Sequence, residues 1–216
     1  MRVLLTGIAI ATAAFALGSA ATVQNAYGQR APATFLPPSL SGEAFLESWF
    51  GAEFRSAGLK PLWPAAAIRG YRARYRLLFA GGAGGVTIVS VDVDEDGSGT
   101  VTSTRLRPGK MIEKNGRATY IPGKVLWADT IEVTASQISR LRRLLDTENF
   151  SGRAFRTVMN DGETACANGT SYLIEAHDRR AGYNAIMRDN CDYQEARTLI
   201  DSMMLLGGGW PRVRNQ

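Results

Sequence analysis

The clearest hydrophobic pattern in the chain is an alternation of apolar and polar residues between Tyr71 and Phe79, which Leu78 alone interrupts. Successive side chains of a β-strand point to opposite faces of a sheet, so the alternation predicts a strand with one buried and one solvent-exposed side. The predicted exposed side carries Arg72, Arg74 and Arg76. The residues of the predicted buried side are Tyr71, Ala73, Tyr75, Leu77 and Phe79.

Other segments of the chain also have the composition of strands. They are residues 86–93, 100–106, 125–133, 171–176 and 183–188. The polar turns DEDGSG, between the first two of these segments, and HDRRAG, between the last two, predict hairpins. Residues 108–123 are polar and punctuated by Gly and Pro, so a long loop is expected there.

The last hairpin has a predicted register that gathers six apolar residues on one face of the sheet. The pairs are Tyr172 with Met187, Ile174 with Ala185, and Ala176 with Tyr183. This register brings Cys191 near Asn168, within a short reach of Cys166. A bond between the two cysteines would then hold the base of the hairpin together.

Three helices are predicted from apolar spacing and capping residues. The first follows Ser41 and ends at Gly58, and its aromatic face packs on the sheet or, alternatively, docks on a partner or a membrane. The second begins with a capping box in which Thr134 is followed by Gln137. The third ends at Gly207. Its predicted buried residues are Ala196, Leu199, Ile200, Met203 and Met204.

The N-terminus has the order of features of a secretory signal. Arg2 is followed by an apolar, uncharged stretch and then by small residues. We expect cleavage after Gly28 or near Ala21. An uncleaved anchor is the alternative, but the Ala, Gly and Thr content of the stretch makes its hydrophobic drive weak. The predicted organisation is a signal peptide over 1–28, an extended linker over 29–40, a single domain over 41–206 and a flexible basic tail over 207–216.

Composition fits an exported protein of the periplasm or the extracellular medium. The 216 residues carry a net charge of +5, and removal of residues 1–28 leaves +4. Such mild basicity indicates anionic surroundings and is too small to indicate nucleic acid. Cys166 and Cys191 are expected to form a disulfide after export, with two buried thiols as the alternative. No segment after the signal is apolar and long enough to cross a membrane.

Candidate chemistry is sparse, and no cofactor is predicted. Asp92, Asp94 and Asp96 resemble the first half of a calcium loop, although Ser103 stands where the loop needs Glu. An acidic hairpin tip explains the same residues. The single histidine, His177, shares a predicted face with Glu175, but a turn histidine is commonly a solvated residue.

The arginine row offers a possible anion-binding face at Arg72, Arg74 and Arg76. The alternative is the solvated face of an edge strand, where positive charge prevents sheets from pairing edge to edge. No motif for a serine or cysteine nucleophile is present in the sequence. Paired carboxylates for glycoside cleavage leave no sequence motif, because only the fold sets their separation.

From residue 71 to about residue 206, the chain resembles an uncharacterised set of exported bacterial proteins. The resemblance rests on the segments LRRLLDTENF, NGTSYLIE and YNAIMR within a hairpin–helix–hairpin–helix order. It implies the fold and the compartment, and no established activity comes with it.

Together these observations predict an α+β domain, in which an antiparallel sheet built from hairpins packs against about three helices. The function they favour is a non-enzymatic exported protein that binds an anionic envelope component or a protein partner. The alternative is a carboxylate-dependent envelope hydrolase.

Export and disulfide formation both change the mass of the protein in a measurable way. We expect the protein recovered from its native host to lack about 28 residues, as a cleaved signal peptide requires. Its thiols should react with an alkylating reagent only after reduction. Intact mass spectrometry before and after reduction checks both expectations, and a full-length mass with free thiols would contradict them.

Overall fold

The computed structural model describes residues 34–38, 44–81, 85–114, 116–150, 157–158, 169–190 and 196–209. All of these belong to one compact unit that spans Ala33–Gln216. The predicted signal peptide, both cysteines and the tail after residue 209 lie outside the described residues. The predictions made for them therefore stay predictions.

A seven-stranded sheet forms the centre of the unit. Its strands and those of a separate hairpin are β1 (Ala73–Gly81), β2 (Val86–Val93), β3 (Gly99–Leu106), β4 (Lys110–Lys114), β5 (Arg117–Ile121), β6 (Val125–Val133), β7 (Thr157–Val158), β8 (Thr170–Asp178) and β9 (Gly182–Asn190). The order in the sheet is β6-β3-β2-β1-β8-β9-β7, and β4 pairs only with β5. All neighbours are antiparallel except β7, which runs parallel to β9.

Three α-helices are found in the described part of the chain, as predicted. They are α1 (Ala44–Ser56), α2 (Ala135–Thr147) and α3 (Arg197–Leu206). The capping box of α2 is confirmed, because the Thr134 hydroxyl accepts from the Gln137 N–H and the Gln137 side chain accepts from the Thr134 N–H. The buried residues of α3 are those that the apolar spacing predicts. The fold is therefore α+β.

Helices cover both faces of the sheet, so the prediction of a one-sided β1 is wrong. On one face, α2 and α3 pack over a cluster that includes Tyr75, Val91 and Ile174. On the other face, α1 packs over a second cluster that includes Leu78 and Leu173. The arginines of β1 lie on this second face. Their charge made the face look solvent-exposed in the sequence, although it also carries an apolar cluster. The sheet is thus the middle layer of three.

The predicted linker over 29–40 also needs correction, because part of it packs in the core. Phe35 and Leu36 are buried in the cluster beneath α1. The Glu47 carboxylate on α1 accepts hydrogen bonds from the backbone N–H groups of both residues, at 3.0–3.1 Å. Two large apolar side chains among the prolines are enough to anchor a segment that has no secondary structure of its own.

The register of the last hairpin differs by one residue from the prediction. Leu173 pairs with Met187 and Ile174 pairs with Ile186. The prediction assumed one apolar face, whereas this register places apolar pairs on both faces. A shift of one residue exchanges the two faces of a strand, so burial on both sides decides the register.

The loop expected over 108–123 contains a β-hairpin. Strands β4 and β5 are largely exposed and polar, so they lack the apolar alternation that would predict them. Gly116 makes the turn with φ +70, a conformation that favours glycine. The hairpin rests on α1, where the rings of Tyr120 and Trp49 lie 6.1 Å apart.

The packing of residues 34–38 predicts the effect of one substitution. Leu36→Ala removes a side chain that is fully buried in the cluster beneath α1. We expect it to lower the free energy of unfolding by about 2–5 kcal/mol, as core Leu→Ala changes do. Urea denaturation measures the loss.

Leu205→Ala is the matched control, because Leu205 is 70% exposed and its truncation should leave the unfolding midpoint nearly unchanged. Equal effects of the two substitutions would mean that residues 34–38 are not part of the folded core.

Candidate functional site

A buried ion pair joins the two central strands of the sheet. Arg76 on β1 lies directly opposite Glu175 on β8. The Arg76 Nε donates to Glu175 Oε2 at 2.6 Å, and the two side chains are 5% and 0% exposed. The Tyr183 hydroxyl donates to Glu175 Oε1 at 2.9 Å. Burial and the negative charge of Glu175 raise the pKa of Tyr183, which keeps this hydroxyl protonated as a donor.

The rest of the Arg76 guanidinium is only partly satisfied. Its Nη1 donates to the Lys60 carbonyl at 2.9 Å, and the group lies 4.0 Å from the centre of the Phe54 ring. Its Nη2 is buried and has no hydrogen-bond partner among the described residues. A buried donor without an acceptor lowers the free energy of unfolding by about 1–3 kcal/mol. An acceptor placed next to this nitrogen would remove that penalty.

Arg74 forms a second ion pair on the same face of the sheet. Its Nε and Nη2 donate to the two oxygens of Asp92, at 2.7 and 2.9 Å, in the bidentate geometry that suits a carboxylate. Its Nη1 donates to the Ala67 carbonyl at 3.1 Å, and the guanidinium lies 4.7 Å from the centre of the Tyr71 ring. The contacts hold Arg74 in one orientation.

A cavity of about 220 Å³ lies beside these two pairs, and we refer to it as the arginine cavity. It is formed where the segment after α1 passes over β1 and β2. Its lining residues are Gly58, Leu59, Lys60, Leu62, Arg74, Tyr75, Arg76, Ser90 and Asp92. The structure thus brings Arg74 and Arg76 of the predicted arginine row together at one cavity. It does not place Arg72 among the lining residues.

The expectation of an open arginine face is therefore wrong for Arg76, which is buried. His177 also differs from its expected solvated position. It is buried on the same face, and its Nδ1 lies 2.8 Å from the Leu62 carbonyl. Because a carbonyl oxygen only accepts, Nδ1 must carry the proton in this contact. His177 therefore holds the segment that roofs the arginine cavity.

The predicted calcium residues do not come together as a cation site. Asp92 is bound by Arg74, and Asp96 accepts from the backbone N–H and the hydroxyl of Ser98, at 2.9 and 2.7 Å. The bond from the Ser98 hydroxyl is the main cause that lowers the pKa of Asp96. Among the described residues, no group of three or more His, Cys, Asp or Glu side chains is placed to hold a metal. Asp94 and Asp96 lie in the turn between β2 and β3, and the calcium loop and the acidic hairpin tip both stay predictions.

Carboxylates also share a second cavity, of about 180 Å³, on the opposite face of the sheet. Asp146 and Asp178 both line it. The two oxygens of Asp178 are already engaged, because Oδ2 accepts from Arg142 at 3.1 Å and Oδ1 accepts from the Arg180 N–H at 2.8 Å. These bonds give Asp178 a structural role, and the hydrolase stays a prediction.

Sequence reasoning missed a buried acid, Glu53 of α1. The Tyr120 hydroxyl donates to its Oε1, whereas its Oε2 is buried without a partner in the described part of the chain. Burial raises the pKa of Glu53, and the bond from Tyr120 offsets part of that rise. A signal was present in the sequence, because Glu53 stands next to Phe54 on the aromatic side of the helix.

Comparison with known proteins finds no matching family model, no matching curated protein and no matching solved structure. The resemblance to exported bacterial proteins therefore stays a prediction. Among the described residues, no helix is long and apolar enough to cross a bilayer.

The raised pKa of Glu53 predicts how stability depends on pH. A carboxyl whose pKa is higher in the folded state binds its proton more tightly there than in the unfolded chain. The stabilisation that comes from protonated Glu53 is complete below pH 4.5, the ordinary pKa of its carboxyl group. It is lost as the pH rises through the pKa of Glu53 in the folded protein. Glu53→Gln abolishes this titration, so we expect a flatter decline of the unfolding free energy above pH 4.5 in the variant.

Denaturant melts between pH 4 and 8 measure the difference in slope. Glu113→Gln on the exposed surface of β4 is the matched control and should keep the slope of the natural protein. Parallel curves for the natural protein and Glu53→Gln would show that Glu53 titrates as it does in the unfolded chain.

Proposed function

We propose that this chain is an exported, non-enzymatic protein that binds an acidic component of the cell envelope in the arginine cavity. The observation that carries the proposal is the Nη2 of Arg76, a buried donor without a partner on a residue that lines the cavity. A carboxylate or phosphate oxygen in the cavity is an acceptor of the kind that this donor lacks.

The charges around the cavity favour an acidic group over a neutral one. Three cationic residues, Lys60, Arg74 and Arg76, line it, whereas Asp92 is the only acidic lining residue in the part of the chain that the structure describes. The negative charge of Glu175 compensates that of Arg76. The charged residues at the cavity, together with Glu175, therefore have an excess of one positive charge. The net charge of +5 over the whole chain acts in the same direction.

The nature of the donors favours binding over catalysis. A guanidinium stays charged at every physiological pH, so it recognises acceptor oxygens without exchanging protons with them. Both guanidiniums are also held in place by ion pairs and backbone carbonyls. Donors fixed before binding lose little conformational freedom when the acidic group arrives.

Co-sedimentation tests the proposal and separates two sources of the acidic group. The protein without residues 1–28 is mixed with purified cell-wall sacculi, with phosphatidylglycerol vesicles and with phosphatidylcholine vesicles. We expect it to sediment with sacculi or with the anionic vesicles and not with the neutral ones. Binding should weaken as salt is added, because the contact is electrostatic.

A pair of double variants shows whether the arginine cavity is responsible. Arg74→Gln with Asp92→Asn removes an ion pair from the cavity and leaves the net charge unchanged. Arg197→Gln with Asp201→Asn removes an exposed ion pair of α3 in the same way. We expect the first variant to bind at least about tenfold more weakly, and the second to bind like the natural protein. Equal binding by both, or no sedimentation with any of the three materials, would contradict the proposal.

A further inference from the structure

Strand β6 is an edge of the sheet that the described residues leave unpaired on one side. It pairs with β3 only. Eight of its nine residues are exposed, and Val133 alone is buried. A strand with this much free edge presents unpaired N–H and C=O groups that another strand can bind.

Exposed apolar side chains concentrate on this strand. Seven large apolar residues are exposed in the described part of the chain, and four of them belong to β6. They are Val125, Leu126, Trp127 and Ile131, each between 41% and 51% exposed. The strand also contains no proline or lysine, which are common means of preventing pairing at an edge. The features of this kind that it does have are a bulge at its start, opposite Arg105 and Leu106, and the two acidic residues Asp129 and Glu132.

The contacts of Thr130 show which backbone groups face outward. Its N–H donates to the Asp129 side chain at 2.9 Å, and its hydroxyl meets that of Thr102 across the ladder at 2.9 Å. In an antiparallel ladder, opposite side chains come closest in the non-hydrogen-bonded pairs. In such a pair, the backbone N–H and C=O groups of each residue point away from the partner strand. The backbone groups of Thr130 therefore point away from β3, and by alternation so do those of Ala128 and Glu132.

The charges of β6 indicate what kind of segment fits this edge. The strand carries Asp129 and Glu132 and no basic residue, although the chain as a whole is basic. A second copy of β6 placed alongside would bring four carboxylates into one two-stranded ribbon, and like charges across a ladder are destabilising. Asp129 and Glu132 lie on opposite faces of the sheet, so a strand with basic side chains on the face of Glu132 would form a favourable pair there and leave its other face for the apolar residues.

We propose that β6 binds an extended segment of a partner protein by strand addition, and that this segment alternates apolar and basic residues. Backbone hydrogen bonds to the outward groups of Ala128, Thr130 and Glu132 hold the segment. Glu132 pairs with its basic side chains on one face of the sheet, and Trp127 and Ile131 pack against its apolar ones on the other face. This surface is separate from the arginine cavity, so the two proposals stand or fall independently.

Two synthetic peptides of ten residues test the proposal by calorimetry. One alternates valine with lysine and the other alternates valine with glutamate. We expect the lysine peptide to bind at least about tenfold more tightly than the glutamate peptide. Methylation of its backbone nitrogens should abolish binding, because strand addition requires those N–H groups. Hydrogen exchange at Ala128 and Glu132 should slow in the complex.

Matched charge variants locate the binding surface. Asp129→Asn with Glu132→Gln should weaken binding of the lysine peptide at least about tenfold. Asp94→Asn with Glu95→Gln makes the same charge change at the exposed turn between β2 and β3, and should leave binding unchanged.

Several results would overturn the proposal. They are equal binding of the two peptides, undiminished binding after backbone methylation, and equal weakening by the two double variants. Slow exchange at Ala128 and Glu132 in the protein alone would also overturn it, because the edge would then already be covered by a second copy or by another part of the chain.

Discussion

The pair formed by Arg76 and Glu175 is the constraint on which the arrangement of this domain depends. It joins β1 to β8 at the middle of the sheet, under α1 and out of contact with water. Removing two charges from water is costly, and only close geometry with further hydrogen bonds offsets that cost. Tyr183, the Lys60 carbonyl and the Phe54 ring provide those contacts. The hydrogen bond from the Arg76 guanidinium to the Lys60 carbonyl thus helps to position the segment after α1.

The same pair explains why the face beneath α1 differs from the face beneath α2 and α3. The face beneath α2 and α3 has a large apolar cluster of valines, leucines and methionines, and its ion pair between Arg142 and Asp178 lies at the margin, where both side chains are partly exposed. The face beneath α1 includes charged groups among its apolar residues. Charged groups in a core must be oriented by specific partners, so this layer has fixed donors and a cavity. The proposed binding of an acidic group depends on these fixed donors.

Much of the fold could be predicted from the sequence, because local patterns determine it. The capping box at Thr134 and the apolar spacing of α3 each specify an element without reference to the rest of the chain. The packing of α1 over the face that carries the arginines could not be predicted. Arg76 and Glu175 have the sequence pattern of solvent-exposed residues, and their pairing joins positions 99 residues apart. Of the candidate site, two of the three predicted arginines line the cavity. Glu53 was missed, although it lies on the aromatic side of α1, because the partner that binds its carboxylate, Tyr120, is 67 residues away in the sequence.

The place of β1 in the sheet has a consequence for how the chain folds. One of its neighbours, β2, follows it directly in the sequence, whereas the other, β8, begins only at Thr170. A ribosome-bound chain that has reached only α2 has one edge of β1 unpaired and the charge of Arg76 uncompensated. Cooperative folding must therefore wait for residues 170–190, and long-range closure of this kind is slow. Such a delay would suit the export proposed above, because chains are threaded through narrow channels in an unfolded state.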